Sequence, residues 1–185
     1  VGRGRAGRKA RGRLKVGDHL VFSPSNKRAN IRTVEAFNIE PQPAEGQAGQ
    51  SIGVTLDDQI FVERGEIASH QEHLPSVSTA FRANLFWLGK RPLEKERKYL
   101  LRVATKEVDC EVASIHRIID TMDLAQQQGS NTVNKNQVAE LTLRTKTPVA
   151  FDLSASFEAT GRFVLVDEYD IAGGGIITEL VHDDQ

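Results

Sequence analysis

Glycine and proline interrupt this sequence so often that no long stretch keeps the 3.6-residue period of an amphipathic helix. Between the interruptions lie short β-branched runs, several alternating polar and apolar residues as half-buried strands do. The chain is therefore expected to be all-β. Its 185 residues suffice for one large domain or two small ones. No apolar run approaches the roughly 18 residues of a membrane span. Val1 is not a Met and no apolar signal segment follows it, so the chain is read as part of something longer. Cys110 is the only cysteine, which excludes an internal disulfide, fits a reducing cytoplasm and reads as strand packing.

In the first half, Gly12 to Asp18 places a turn between two strands, and His19 to Phe22 runs into the turn Pro24 to Lys27. Asn30 to Phe37 is a strand whose Ile31, Val34 and Phe37 break strict alternation, which predicts a bulge near Thr33. Ile39 to Gly46, with two prolines, reads as a surface loop. Ile52, Val54 and Leu56 then mark a clear strand, closed by Asp57 and Asp58. These neighbouring acids point to opposite faces, so they suit a turn better than a metal. The apolar pattern stops between Ser69 and Thr79, and residues 73–79 are expected to be a linker between domains at 1–72 and 80–185.

The second half reopens with a period-two stripe, Phe81, Ala83, Leu85 and Trp87. Strands are expected at 99–103, 107–112, 112–119, 138–143, 162–166 and 171–180, with a tight turn at Ala104 to Lys106. Residues 122–136 are expected to form an exposed loop with one helical turn near Leu124. About six strands at this spacing point to a closed barrel.

Chemistry is sparse. A GTPase needs a glycine-rich loop ending in Lys-Ser or Lys-Thr and an Asn-Lys-x-Asp to read guanine. Asn26-Lys27 and Asn134-Lys135 lack that aspartate, and Gly173-Gly174-Gly175 is followed by two isoleucines, as a strand kink would be. No G-x-S-x-G nucleophile elbow is present. His70 and His73 are spaced like zinc ligands but lack further ligands nearby, and His116 sits in an apolar strand. Asp152, Asp167 and Asp170 each adjoin a turn. No catalytic, cofactor-binding or metal-binding residue is assigned. Net charge is −1, yet Arg3, Arg5, Arg8, Lys9, Arg11, Arg13 and Lys15 precede the first acid, leaving 17 basic residues against 25 acidic ones beyond them. Such a run is either the solvated face of a strand pair or a phosphate-binding arm.

Specific residues sharpen this picture. Arg3-Gly4, Gly7, Gly12, Leu14-Lys15 and Gly17-Asp18, then Pro24-Ser25, Ala48-Gly49-Gln50, Leu56-Asp57-Asp58 and Arg64-Gly65-Glu66, form a pattern shared by translation-factor GTPases. Further on stand Phe81-x-Ala83-x-Leu85-x-Trp87, Pro92-Leu93, Tyr99-Leu100-Leu101, Ile119-Asp120, Asn136-Gln137-Val138, Pro148 to Asp152, and Thr160-Gly161-Arg162-Phe163-Val164-Leu165-Val166-Asp167. With these, nearly the whole chain resembles domains II and III of the large, GTPase subunit of bacterial sulfate adenylyltransferase. Gln59 to Val62, the basic Arg5 and Arg8, and Ser154 to Phe157 depart from that family's pattern.

The resemblance implies two consecutive β-barrels, of the kind of elongation-factor-Tu domains II and III, that do no chemistry themselves. It implies an upstream GTPase domain using GTP and magnesium, a catalytic sulfate adenylyltransferase subunit as partner, and a cytoplasmic role in forming adenylylsulfate from ATP and sulfate. Many members of that family continue into an adenylylsulfate kinase domain, so a fusion of that kind is one form the parent can take. Arg3, Arg5 and Arg8, with Arg162, are the candidates for the partner surface. The alternative is a translation-type module whose barrels hold an RNA acceptor end, with the basic arm on phosphates.

Overall fold

The structure is a computed structural model that describes residues 5–8, 12–36, 38–47, 50–121, 126–127 and 129–181, with 5–8 and 126–127 described as backbone alone. The chain divides into two compact units, Val1–Leu74 and Pro75–Gln185.

In the first unit the strands are β1 (Arg5–Arg8), β2 (Arg13–Lys15), β3 (His19–Ser23), β4 (Lys27–Ala36), β5 (Glu45–Gln47), β6 (Ser51–Leu56) and β7 (Ile67–His70). Five of them form an antiparallel sheet in the order β1-β6-β4-β3-β7, and β2 pairs with β5 as a separate ribbon. This is a half-barrel, curled over a core of Leu20, Phe22, Ala29, Ile31, Val34, Ile52 and Leu56. The bulge expected near Thr33 is present: the β4/β6 register shifts between Ile31 and Thr33. The expected surface loop 39–46 ends early, because Glu45–Gln47 pairs with β2. Gly46 fits there because a Cβ would stand 2.5 Å from Ile52 Cδ1.

The second unit holds β8 (Ser76–Trp87), β9 (Leu93–Glu94), β10 (Lys98–Val103), β11 (Lys106–Asp120), β12 (Gln126–Gln127), β13 (Thr132–Val133), β14 (Gln137–Phe151), the short helix α1 (Glu158–Gly161), β15 (Arg162–Asp167) and β16 (Asp170–Leu180). Its sheet runs β10-β15-β16-β8-β14-β11, and β11 pairs back onto β10, so six strands close into a barrel. Closure removes the free edges that an open sheet leaves. The interior is filled by Phe81, Leu85, Trp87, Leu101, Leu141, Leu143, Phe151 and Leu165, all essentially solvent-free.

The structure corrects the sequence in three places. The two strands expected over 107–119 are one, because bulges between Val112 and Ser114 and between Ile115 and Arg117 shift the inward phase without ending the ladder. The loop expected over 122–136 contains β12 and β13, with Val133 fully buried; the helical turn expected near Leu124 lies outside the described residues. The stretch expected as linker is strand from Ser76, where Ser76, Val77 and Ser78 pair with Phe151, Ala150 and Val149. Backbone pairing sustains a strand there although its serines carry no apolar alternation.

Candidate partner surface

The four arginines assigned to a partner surface come from different places. Arg3 lies outside the described residues. Arg5 and Arg8 belong to β1, the outermost strand of the half-barrel, with their backbones in register with Val54 and Ser51 of β6. Arg162 opens β15 in the second unit; it is exposed and ion-paired with Glu158 of α1, one turn away.

The titratable groups singled out in the sequence have the following partners. His70 lies with Nε2 2.9 Å from Asp18 Oδ2, and Asp18 also accepts the Lys15 N–H at 2.9 Å. Burial pushes the Asp18 carboxyl upward, but the His70 hydrogen bond and the Lys15 N–H, with the charges beside them, outweigh it and hold it below the usual carboxylate value. A group whose folded pKa is depressed adds stability above its unfolded pKa and loses it as pH falls through the folded one. Asp18→Asn is therefore expected to cost the half-barrel about 1–2 kcal/mol at neutral pH. It should also flatten the loss of stability below about pH 4. Urea midpoints measured across that range check both effects.

His116 stands between the Thr142 hydroxyl at 2.8 Å and the Ser114 hydroxyl at 3.3 Å, beside a bulge of β11. Cys110 is buried, and burial, with Asp109 and Glu111 beside it, pushes its thiol up to about 12, so it is a packed thiol and a poor nucleophile. Asn26 and Asn136 hold left-handed turn conformations, and the Asn134 N–H is bound by the Gln137 side chain at 2.8 Å. Asp57 accepts two hydrogen bonds from Asn30, fastening the end of β6 to β4. No group of three or more His, Cys, Asp or Glu able to hold a metal ion occurs among the described residues. No helix among them is long and apolar enough to cross a membrane.

One polar constellation was not legible in the sequence. A cleft of about 610 Å³ opens between the loop at Leu88–Arg91 and the hairpin at Asp167–Ala172. Arg97 meets Asp167 at 2.8 Å, Arg91 meets Glu168 at 2.5 Å and Lys90 meets Asp170 at 3.0 Å across this end of the barrel. The cations are matched by acids, so the cleft offers no net positive field for a phosphate. The partners lie 70 or more positions apart, and no local motif announces such pairs.

Residues 80–178 match the family described as GTP-eEF1A C-terminal domain-like. The chain is 32% identical over 179 residues to "Sulfate adenylyltransferase subunit 1" of Francisella tularensis subsp. tularensis (strain WY96-3418), covering 95% of this chain and 37% of that protein. It is 31% identical over 169 residues to the same subunit of Shewanella oneidensis, covering 89% of this chain and 34% of that protein. It is 30% identical to "Bifunctional enzyme NodQ" of Rhizobium sp. (strain N33), covering 95% of this chain and 27% of that protein. The chain thus spans about a third of the length of these curated relatives. In fold it is similar to sup35 complexed with GMPPNP, at a TM-score of 0.88 and 15% identity, covering 97% of this chain and 44% of that one.

Proposed function

The chain belongs to the GTP-eEF1A C-terminal domain-like family, and from that premise we propose that it is the non-catalytic β-barrel region of the GTPase subunit of an ATP sulfurylase. Its two units serve as the second and third domains of that subunit. They form a scaffold that packs against an upstream GTPase domain, which binds GTP and magnesium, and docks the catalytic subunit that makes adenylylsulfate. The observation that carries this reading is similarity to sulfate adenylyltransferase subunit 1 over 179 residues, spanning both units. It is supported by titratable groups that are tied up in turns, ladders and ion pairs. Arg3, which lies outside the described residues, Arg5 and Arg8 on β1, and Arg162 on β15 are the docking residues proposed.

The test is a pull-down of a sulfurylase catalytic subunit by the parent protein carrying its GTPase domain, and by the 185-residue chain. Reversing Arg162 to Glu, or Arg5 and Arg8 together to Glu, is expected to slow association about tenfold at low salt while leaving the barrels folded. Capture of nothing by either form overturns the assignment. Tight RNA binding that weakens steeply from low to moderate salt would instead identify an RNA-holding module served by the basic arm.

A further inference from the structure

The closed barrel carries an apolar band on its outer wall. Strand β8 turns Asn84 and Phe86 outward, with Leu88 exposed just beyond its end, and β16 turns out Gly174 and Ile176; Phe86 is 38%, Leu88 47%, Ile176 39% and Ile171 64% exposed. Within this band the relief is specific. Phe86 and Gly174 are direct register partners, so a ring stands beside a bare stretch of backbone. Nothing inside the fold demands that glycine, because a Cβ there would meet only the Phe163 carbonyl oxygen, at 3.8 Å, and its φ is not left-handed. A mid-strand glycine with no internal clash to require it leaves the backbone open to close approach from outside.

The ends of the band are charged in a matched way. At one end Arg82 is the register partner of Glu179, 3.2 Å away; at the other Lys90 meets Asp170 at 3.0 Å. We propose that this wall is a self-association surface, on which a second copy of the chain packs about a two-fold axis lying between β8 and β16 and parallel to them. Such an axis keeps position along the strands and exchanges β8 for β16. Phe86 of each copy then drops onto Gly174 of the other, and Leu88 lies over the Ile171–Ala172 backbone. Arg82 of each copy faces Glu179 of the other, and Lys90 faces Asp170. An axis running across the strands would oppose Arg82 to Lys90 and Glu179 to Asp170, like charge to like. The charge pattern therefore selects a second copy and its orientation, within the roughly 30° that twisted sheets impose on face-to-face packing. The inference concerns the outer wall alone and does not depend on the function proposed above.

Sedimentation equilibrium on the full chain, from about 1 µM to about 1 mM, reads the association directly. A reversible monomer–dimer equilibrium is expected. Gly174→Trp, which the fold accommodates at its Cβ, should weaken dimerisation at least about tenfold by filling the floor that receives Phe86. Arg82→Glu should weaken it as well, and adding Glu179→Arg should restore it, with far-UV circular dichroism confirming the fold throughout. A chain that stays monomeric to the highest concentration overturns the proposal. So does a dimer indifferent to Gly174→Trp, or one that the double charge exchange fails to restore.

Discussion

Trp87→Ala is expected to destabilise the second barrel by about 3–5 kcal/mol, against a total of about 5–15 kcal/mol for a domain. The indole is fully buried and lies edge-on to Tyr99 at 5.7 Å between ring centroids. Its Nε1–H donates to the Arg91 carbonyl at 2.8 Å, so one side chain fastens the barrel interior to the loop that follows β8. Two glycines close over the ring: a Cβ at Gly89 would stand 2.5 Å from it, and one at Gly173 would stand 3.0 Å from it. With neighbours so closely fitted, the space left by alanine cannot collapse, which puts the cost toward the upper end. Trp87→Phe keeps much of the packing but leaves the Arg91 carbonyl without its donor, a loss of about 1–3 kcal/mol. Urea unfolding followed by far-UV circular dichroism should show a midpoint drop of roughly 2 M for alanine and a smaller one for phenylalanine. Equal midpoints for alanine and the parent would refute the view that this ring organises the barrel.

Trp87 also shows what kind of information the sequence carried. The stripe Phe81, Ala83, Leu85, Trp87 is legible because a strand with one wet face must alternate, and all four prove to be fully buried. Where a bulge intervenes, as at Ala113 and His116 in β11, the alternation changes phase and a single strand reads as two. Ser76 to Ser78 were illegible for a different reason: their place in the ladder comes from backbone pairing with Val149 to Phe151. The same limit applies to function. That Asp18 would be held by His70, or Asp167 by Arg97, depends on contacts made across 52 and 70 positions, which no spacing rule encodes. The motifs that carried the family resemblance are mostly turn glycines and barrel-facing residues. They constrain the fold strongly and the partner surface weakly.

The three-glycine run gives the second large effect and separates a strand from a phosphate loop. Gly175→Ala is expected to destabilise the second barrel by about 3 kcal/mol, the upper range for overpacking. A Cβ there would stand 2.3 Å from the Asn84 carbonyl oxygen and 2.6 Å from the Phe163 ring. The first of these is backbone, so it cannot swing aside; β8 and β16 would have to separate where Gly175 is in register with Leu85. Gly174→Ala, one residue earlier, places its Cβ in ordinary contact, 3.8 Å from the Phe163 carbonyl oxygen, and should change stability by no more than about 1 kcal/mol, with loss of chain entropy in the unfolded state favouring alanine. Thermal unfolding of the two variants side by side, at concentrations where the chain is monomeric, gives the comparison. A phosphate-cradling loop would tolerate or reject both substitutions on the strength of the ligand it holds. A strand packed against its neighbour rejects only the alanine that strikes backbone, so equal losses at the two positions would overturn the steric account of this run.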